Sequence, residues 1–212
     1  YTVAITGDTT GFTVTNTYTP ETINIPVTKV WNDNNNQDGK RATEVTIKLL
    51  ADGVDTGKTL TLNEANGWKG TFTGLPKKAN GVDIVYTIKE EPVPSGYTVA
   101  ITGDTTGFTV TNTYSPEKIN IPVTKIWQDD ADADKIRPES ITVNLKKGTE
   151  VIDTVELNKE NNWTHTFENL PKKENGEEII YTVEEIEPEG YTASITGSMA
   201  EGFVITNKHE VS

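Results

Sequence analysis

Apolar and polar residues alternate along most of this 212-residue chain. A two-residue period is that of an extended strand with one buried face. Between residues 19 and 114 it predicts strands at 23–31, 44–50, 59–63, 68–73, 83–90, 97–101 and 108–114. Clusters of Gly, Asn, Asp and Pro fall between these runs and supply turns. No stretch carries a convincing helical period. Seven such strands in roughly 95 residues predict an all-β, immunoglobulin-like sandwich.

The pattern then recurs. Residues 1–18, YTVAITGDTTGFTVTNTY, return unchanged at 97–114, and INIPVTK at 23–29 returns at 119–125, a period of 96 residues. LNEANGWKGTFTGLPKKANG (62–81) answers LNKENNWTHTFENLPKKENG (157–176), and VYTIKEEPVPSGYT (85–98) answers IYTVEEIEPEGYT (180–192). A weaker third copy of the first segment begins at Tyr191 and ends with GFVITN, 202–207. The chain therefore reads as the C-terminal tail of a preceding repeat (1–18), a full repeat (19–114) and a second full repeat (115–212). TPET (19–22) and SPEK (115–118) are short joints whose Pro limits flexibility. A period this long means tandem sandwiches, not a solenoid of short units.

Three apolar stripes each carry one residue foreign to a core. The odd positions of the first strand are Ile23, Ile25, Val27, Lys29 and Trp31, repeated as Ile119, Ile121, Val123, Lys125 and Trp127. Ile84, Tyr86, Ile88 and Glu90 share one face, as do Ile179, Tyr181, Val183 and Glu185. The last strand aligns Phe108, Val110, Asn112 and Tyr114, answered by Phe203, Ile205, Asn207 and His209. Each repeat thus points a Lys, a Glu and an Asn inward. Burial lowers the pKa of an amine and raises that of a carboxyl, so both can become neutral. A neutral amine can attack the Asn side-chain carbonyl while the acid polarises it and passes a proton to the departing ammonia. The product is a Lys–Asn isopeptide bond joining the first strand to the last. The same residues also fit a buried ion pair with the amide hydrogen-bonded beside it. A one-residue slip of a strand would instead turn them to solvent.

Composition removes several functions. The net charge is −13, with 9 basic and 11 acidic residues in 19–114 and 10 and 20 in 115–212. Such an acidic chain is a poor partner for nucleic acid, whose affinity comes from clustered Lys and Arg. No apolar run reaches the ~20 residues of a membrane-spanning helix. Cys is absent, which excludes disulfides, thiolate zinc sites and thiol catalysis. No signal peptide is visible and the chain opens inside a repeat, as an excised fragment would.

The motifs VTKVWNDNNNQDGKR (27–41), GWKGTFTGLPKK (67–78), YTIKEEPVPSGY (86–97) and FTVTNTY (108–114) occur in order. VTKIWQDD (123–130), NWTHTFENLPKK (162–173), YTVEEIEPEGY (181–191) and FVITNK (203–208) repeat that order. This set resembles the B-type repeats of Gram-positive collagen adhesins, the Cna B-type domain family, over essentially the whole chain. The resemblance implies β-sandwich stalk repeats, often carrying a Lys–Asn isopeptide bond promoted by an acid. By position it implies crosslinks Lys29–Asn112 and Lys125–Asn207, with Glu90 and Glu185 as the promoting acids. It further implies a monomeric, extracellular chain on the bacterial surface, with wall anchoring through a region elsewhere. Its expected partners are neighbouring repeats of the same chain. Host matrix would be met only by a separate head region, with no nucleic acid, membrane or cofactor. Chemistry would be confined to single-turnover self-crosslinking. The second repeat departs by ending TNKHE where the first has TNTYSP, and residues 1–18 offer Asn16 without an upstream Lys or Glu.

Competing readings remain. Asp33, Asn35, Gln37 and Asp38, or Asp130, Asp132 and Asp134, supply oxygen ligands that could hold calcium, although the spacing departs from an EF-hand loop. An exposed sheet edge could accept a partner strand in an adhesive module. The Trp residues at 31, 68, 127 and 163 fall on inward stripes or turns, which favours packing over ligand contact. A hydrolase fits worst, because His165 and His209 have no counterpart in the first repeat.

Overall fold

A computed structural model of the chain describes residues 1–210. The first full repeat holds β3 (Thr22–Asn32), β4 (Glu44–Ala51), β5 (Val54–Asn63), β6 (Lys69–Pro76), β7 (Lys78–Ala79), β8 (Val82–Asp83), β9 (Tyr86–Glu90), β10 (Thr98–Asp104) and β11 (Gly107–Thr113). They follow an N-terminal hairpin of β1 (Thr2–Asp8) and β2 (Gly11–Thr17). One sheet has the order β10-β11-β3-β6, the facing one β5-β4-β9, and β7 and β8 form a small ribbon. The inward faces of the two larger sheets meet in one core of Ile25, Val27 and Val110 against Val45, Ile47, Leu49, Leu62 and Ile88. This is the sandwich that the alternation predicts.

The first and last strands of the repeat lie side by side. β3 and β11 pair in parallel, with Val27 opposite Phe108 and Trp31 opposite Asn112. The chain thus enters at one end of this strand pair and leaves at the other.

The second repeat uses the same plan. It comprises β12 (Lys118–Gln128), β13 (Ser140–Lys147), β14 (Glu150–Asn158), β15 (Thr164–Pro171), β16 (Lys173–Glu174), β17 (Glu177–Glu178), β18 (Tyr181–Glu185), β19 (Thr192–Ser198) and β20 (Gly202–Lys208). Its sheets run β15-β12-β20-β19 and β14-β13-β18, and β12 pairs in parallel with β20. Contacts divide the chain into two compact units, residues 1–35 with 41–115 and residues 36–40 with the remainder from Pro116. Among the described residues no helix is long and apolar enough to cross a membrane.

Two local features depart from the alternation. The run 83–90 is broken between β8 and β9, because the Val85 N–H donates to the Asp52 side chain at 2.9 Å and its carbonyl accepts from the Asp52 N–H at 2.8 Å. A 3-10 turn occupies Glu64–Asn66, closed by reciprocal bonds between Asn63 and Asn66.

Residues 1–18 form the same hairpin, in the same register, as their copy at 97–114. Their surroundings differ. Phe12 and Val14 are 65% and 62% exposed, whereas the matching Phe108 and Val110 are buried. The hairpin is therefore encoded locally, while its burial depends on a strand of the β3 type beside it.

Ile47 is fully enclosed between the sheets. Ile47→Ala is expected to lower unfolding free energy by roughly 2–5 kcal/mol, read from the denaturant midpoint.

Candidate functional site

Strand parity turns Lys29 of β3 and Asn112 of β11 to the same inward face, as diagonal neighbours on paired strands. Glu90, the last residue of β9, reaches the same spot from the facing sheet. All three are buried, with both charged side chains fully covered. One carboxylate oxygen addresses both other groups. Glu90 Oε1 lies 3.9 Å from Lys29 Nζ and accepts from Asn112 Nδ2 at 3.2 Å. The amine also donates to the Val30 carbonyl at 3.1 Å.

The second repeat reproduces this arrangement. Glu185 Oε1 is 3.8 Å from Lys125 Nζ and accepts from Asn207 Nδ2 at 3.0 Å. Lys125 donates to the Ile126 carbonyl at 3.0 Å.

Burial moves both partners toward their neutral forms. Burial lowers Lys29 and Lys125 to about 8, against the opposing pull of Glu90 and Glu185. Burial likewise raises both glutamates above the usual carboxylate range. A pair that is costly to hold charged can share its single proton as amine plus carboxylic acid. Glu90 Oε2 and Asn112 Oδ1 are buried and find no hydrogen-bond partner among the described residues, and the same holds for Glu185 Oε2 and Asn207 Oδ1. A proton on the free carboxyl oxygen would give the acid a donor, and the amide carbonyl oxygen is open to accept one.

Aromatic rings close the site. Lys29 Nζ sits 4.0 Å from the centre of the Trp31 ring, and Lys125 Nζ sits 3.9 Å from that of Trp127. Trp68 meets Trp31 edge-on at 5.2 Å, as Trp163 meets Trp127. These indoles pack against the two cores, Trp31 and Trp127 from inward strand positions and Trp68 and Trp163 from turns.

Beside each Trp lies a polar cluster that strand parity did not reveal. Arg41 grips buried Asp33 through Nε at 2.9 Å and Nη2 at 2.6 Å, and the Tyr97 hydroxyl donates to Asp33 at 2.9 Å. Asp129 is gripped by Arg137 through Nε at 2.8 Å and through Nη2, and the Tyr191 hydroxyl donates to it at 2.9 Å. The Asp33 carboxylate, one of several oxygen ligands in the competing calcium reading, is thus paired with a guanidinium. Asp132 accepts from the Arg137 N–H at 3.0 Å, and Asp134 meets His209 at 3.0 Å. Among the described residues no group of three or more His, Cys, Asp or Glu side chains could hold a metal ion. His165 lies edge-on to Phe167, and Asn16 sits on the exposed hairpin.

The Cna protein B-type domain model matches residues 25–113 and again 121–208. The chain belongs to the Cna B-type domain family. It is 44% identical over 205 residues to a collagen adhesin of Staphylococcus aureus, covering 96% of this chain and 17% of that protein. It also matches the crystal structure of two B repeat units of the collagen binding protein of Staphylococcus aureus, with a TM-score of 0.83 and 41% identity. That match covers 98% of this chain and 54% of the other. A single B repeat unit of the same protein matches at 39% identity and a TM-score of 0.43, covering 90% of this chain and 100% of the other. The Cna B-type sandwich thus accounts for the architecture of both repeats.

Arg137 holds Asp129 down at about 2, below its ordinary 3.8. A folded value below the unfolded one means that Asp129 stabilises the fold above about pH 3.8 and that this contribution is lost as pH falls through about 2. Asp129→Asn should therefore lower the thermal midpoint near neutral pH. The gap from the parent should close as pH approaches 2, followed by circular dichroism.

Proposed function

We propose that each repeat is a stalk module that staples itself with an intramolecular isopeptide bond, Lys29–Asn112 in the first and Lys125–Asn207 in the second. The observation that carries this reading is the single Glu90 oxygen facing both the amine at 3.9 Å and the amide nitrogen at 3.2 Å, out of water and repeated in the second copy.

The chemistry follows from those positions. The lone pair of neutral Lys29 Nζ attacks Asn112 Cγ. The protonated Glu90 carboxyl hydrogen-bonds the oxygen on which negative charge develops. Glu90 then relays a proton from the attacking nitrogen to Nδ2. The Cγ–Nδ2 bond breaks and ammonia leaves. An amine and a primary amide become a secondary amide and ammonia, with no oxidant or cofactor. The reactive form holds one proton between Lys and Glu. The rate should fall in acid, where a second proton enters the pair, and in alkali, where the last one leaves.

The bond has a mechanical role in this topology. Parallel end strands place pulling force in shear along β3 and β11. A covalent bridge between them passes that force from strand to strand, and the more than 80 residues between Lys29 and Asn112 carry none of it. Closing so long a loop also restricts the unfolded chain, as a disulfide would, while remaining indifferent to reducing agents.

The wider role draws on the collagen adhesin relative. The chain spans 17% of that protein's length, so collagen contact is assigned to other regions and the repeats to spacing at the bacterial surface. Residues 1–18 are taken as the closing hairpin of a preceding repeat, and neighbouring repeats as the partners of a monomeric chain.

Intact mass spectrometry tests the proposal. The folded chain should weigh about 34 Da less than its sequence, one ammonia lost per bond. Lys29→Ala should halve that deficit. A mass equal to the sequence value overturns the crosslink.

A further inference from the structure

The clusters around Asp33 and Asp129 have no part in the bond-forming step, yet each adjoins it. Asp33 lies just beyond the end of β3, Arg41 closes the following loop, and Tyr97 precedes β10. Their hydrogen bonds tie these three segments together. Trp31 stands between this cluster and the amine. Its ring meets Tyr97 edge-on at 5.1 Å, lies 5.6 Å below the Arg41 guanidinium, and covers Lys29 Nζ at 4.0 Å. Around Trp127 the corresponding distances to Tyr191, Arg137 and Lys125 are 5.0, 5.2 and 3.9 Å.

The two loops say that this arrangement is held while its surroundings vary. Between Asp33 and Arg41 the chain reads NNNQDGK, and between Asp129 and Arg137 it reads DADADKI. Loop length and the Trp, Asp and Arg positions are kept, although only Asp38 and Asp134 coincide between them. A loop needed only for closure would not require a buried carboxylate with a bidentate guanidinium at its ends.

We propose that Asp33, Arg41 and Tyr97 are positioning residues that lock Trp31 over the Lys29 amine and set the charge around it, and that Asp129, Arg137 and Tyr191 do the same for Lys125. This inference rests on the crosslinking reading above. The locked ring keeps water from the amine and fixes its approach to Asn112. The charged groups facing Lys29 are Glu90 on β9 and, past the end of β3, Asp33 and Arg41, with uncharged Asn112 on β11. Asp33 favours the charged amine and Arg41 opposes it. The latch therefore brings a guanidinium close to the amine with its charge offset by a carboxylate.

The test follows crosslink formation in the full 212-residue chain. Chain made in vitro and held in denaturant is diluted into buffers from acid to alkaline pH. Bond formation in each repeat is then timed by proteolytic mapping and mass spectrometry. Substitutions are confined to the first repeat, so the second is an internal control in every molecule. Tyr97→Phe, which keeps the ring and the Asp33–Arg41 pair, should slow the first bond roughly tenfold through loosened positioning. Asp33→Asn should move the first repeat's pH–rate curve toward acid, and Arg41→Gln should move it toward alkali. The second repeat should stay unchanged in all three. A structural brace alone would lower rates without moving the curves in opposite directions. If the parent crosslinks in both repeats but neither charge variant moves its curve, the latch is overturned and the crosslink stands. If the folded parent loses no ammonia from either repeat, the crosslink itself fails.

Discussion

A lysine amine kept out of water beside a carboxyl is the constraint on which the rest depends. In solution the two groups would be charged and harmless. Inside the sandwich neither charge is well solvated, and burial moves both toward their neutral forms. An isolated ion pair in such a place is a poor source of stability, because desolvation offsets most of its attraction. An amide nitrogen on the same carboxyl oxygen changes its meaning. The arrangement loses its charges altogether if the amine and the amide carbon combine. Destabilised groups in the folded, uncrosslinked chain are thus what would favour the proposed permanent bond.

The topology would give the proposed bond its effect. Parallel pairing sets the first and last strands of each repeat side by side, with entry and exit at opposite ends, along the one interface that pulling would shear. Few other places in a sandwich would let one covalent link protect nearly the whole repeat. The absence of Cys is consistent with stability supplied by another route. The exposed hairpin at residues 1–18 illustrates the dependence from the other side: the sequence is identical to 97–114, but without a β3 partner its apolar face stays open.

Much of this was legible from parity alone. Lys29, Glu90 and Asn112 each fall on an apolar stripe, and a strand leaves such residues only one direction to face. Parity could not say that Glu90 arrives from the opposite sheet, since sheet membership depends on pairings distant in sequence. It also missed the break before β9, which is made by the side chain of Asp52. The Asp33 cluster escaped for the same reason, because loops carry no period and its members lie up to 64 positions apart. One signal was present: the spacing of Trp31, Asp33 and Arg41 is kept by Trp127, Asp129 and Arg137 across loops of different composition. The oxygen ligands of those loops mark Asp33 but not the arginine that binds it.

The most direct measurement is a crystal structure at a resolution that separates bonded from non-bonded atoms. Continuous density should run from Lys29 Nζ to Asn112 Cγ at about 1.33 Å, the length of an amide bond, with planar geometry. Lys125 and Asn207 should show the same. Intact carboxamides standing about 3.5 Å from the lysine nitrogens, at ordinary contact distance, would contradict the account.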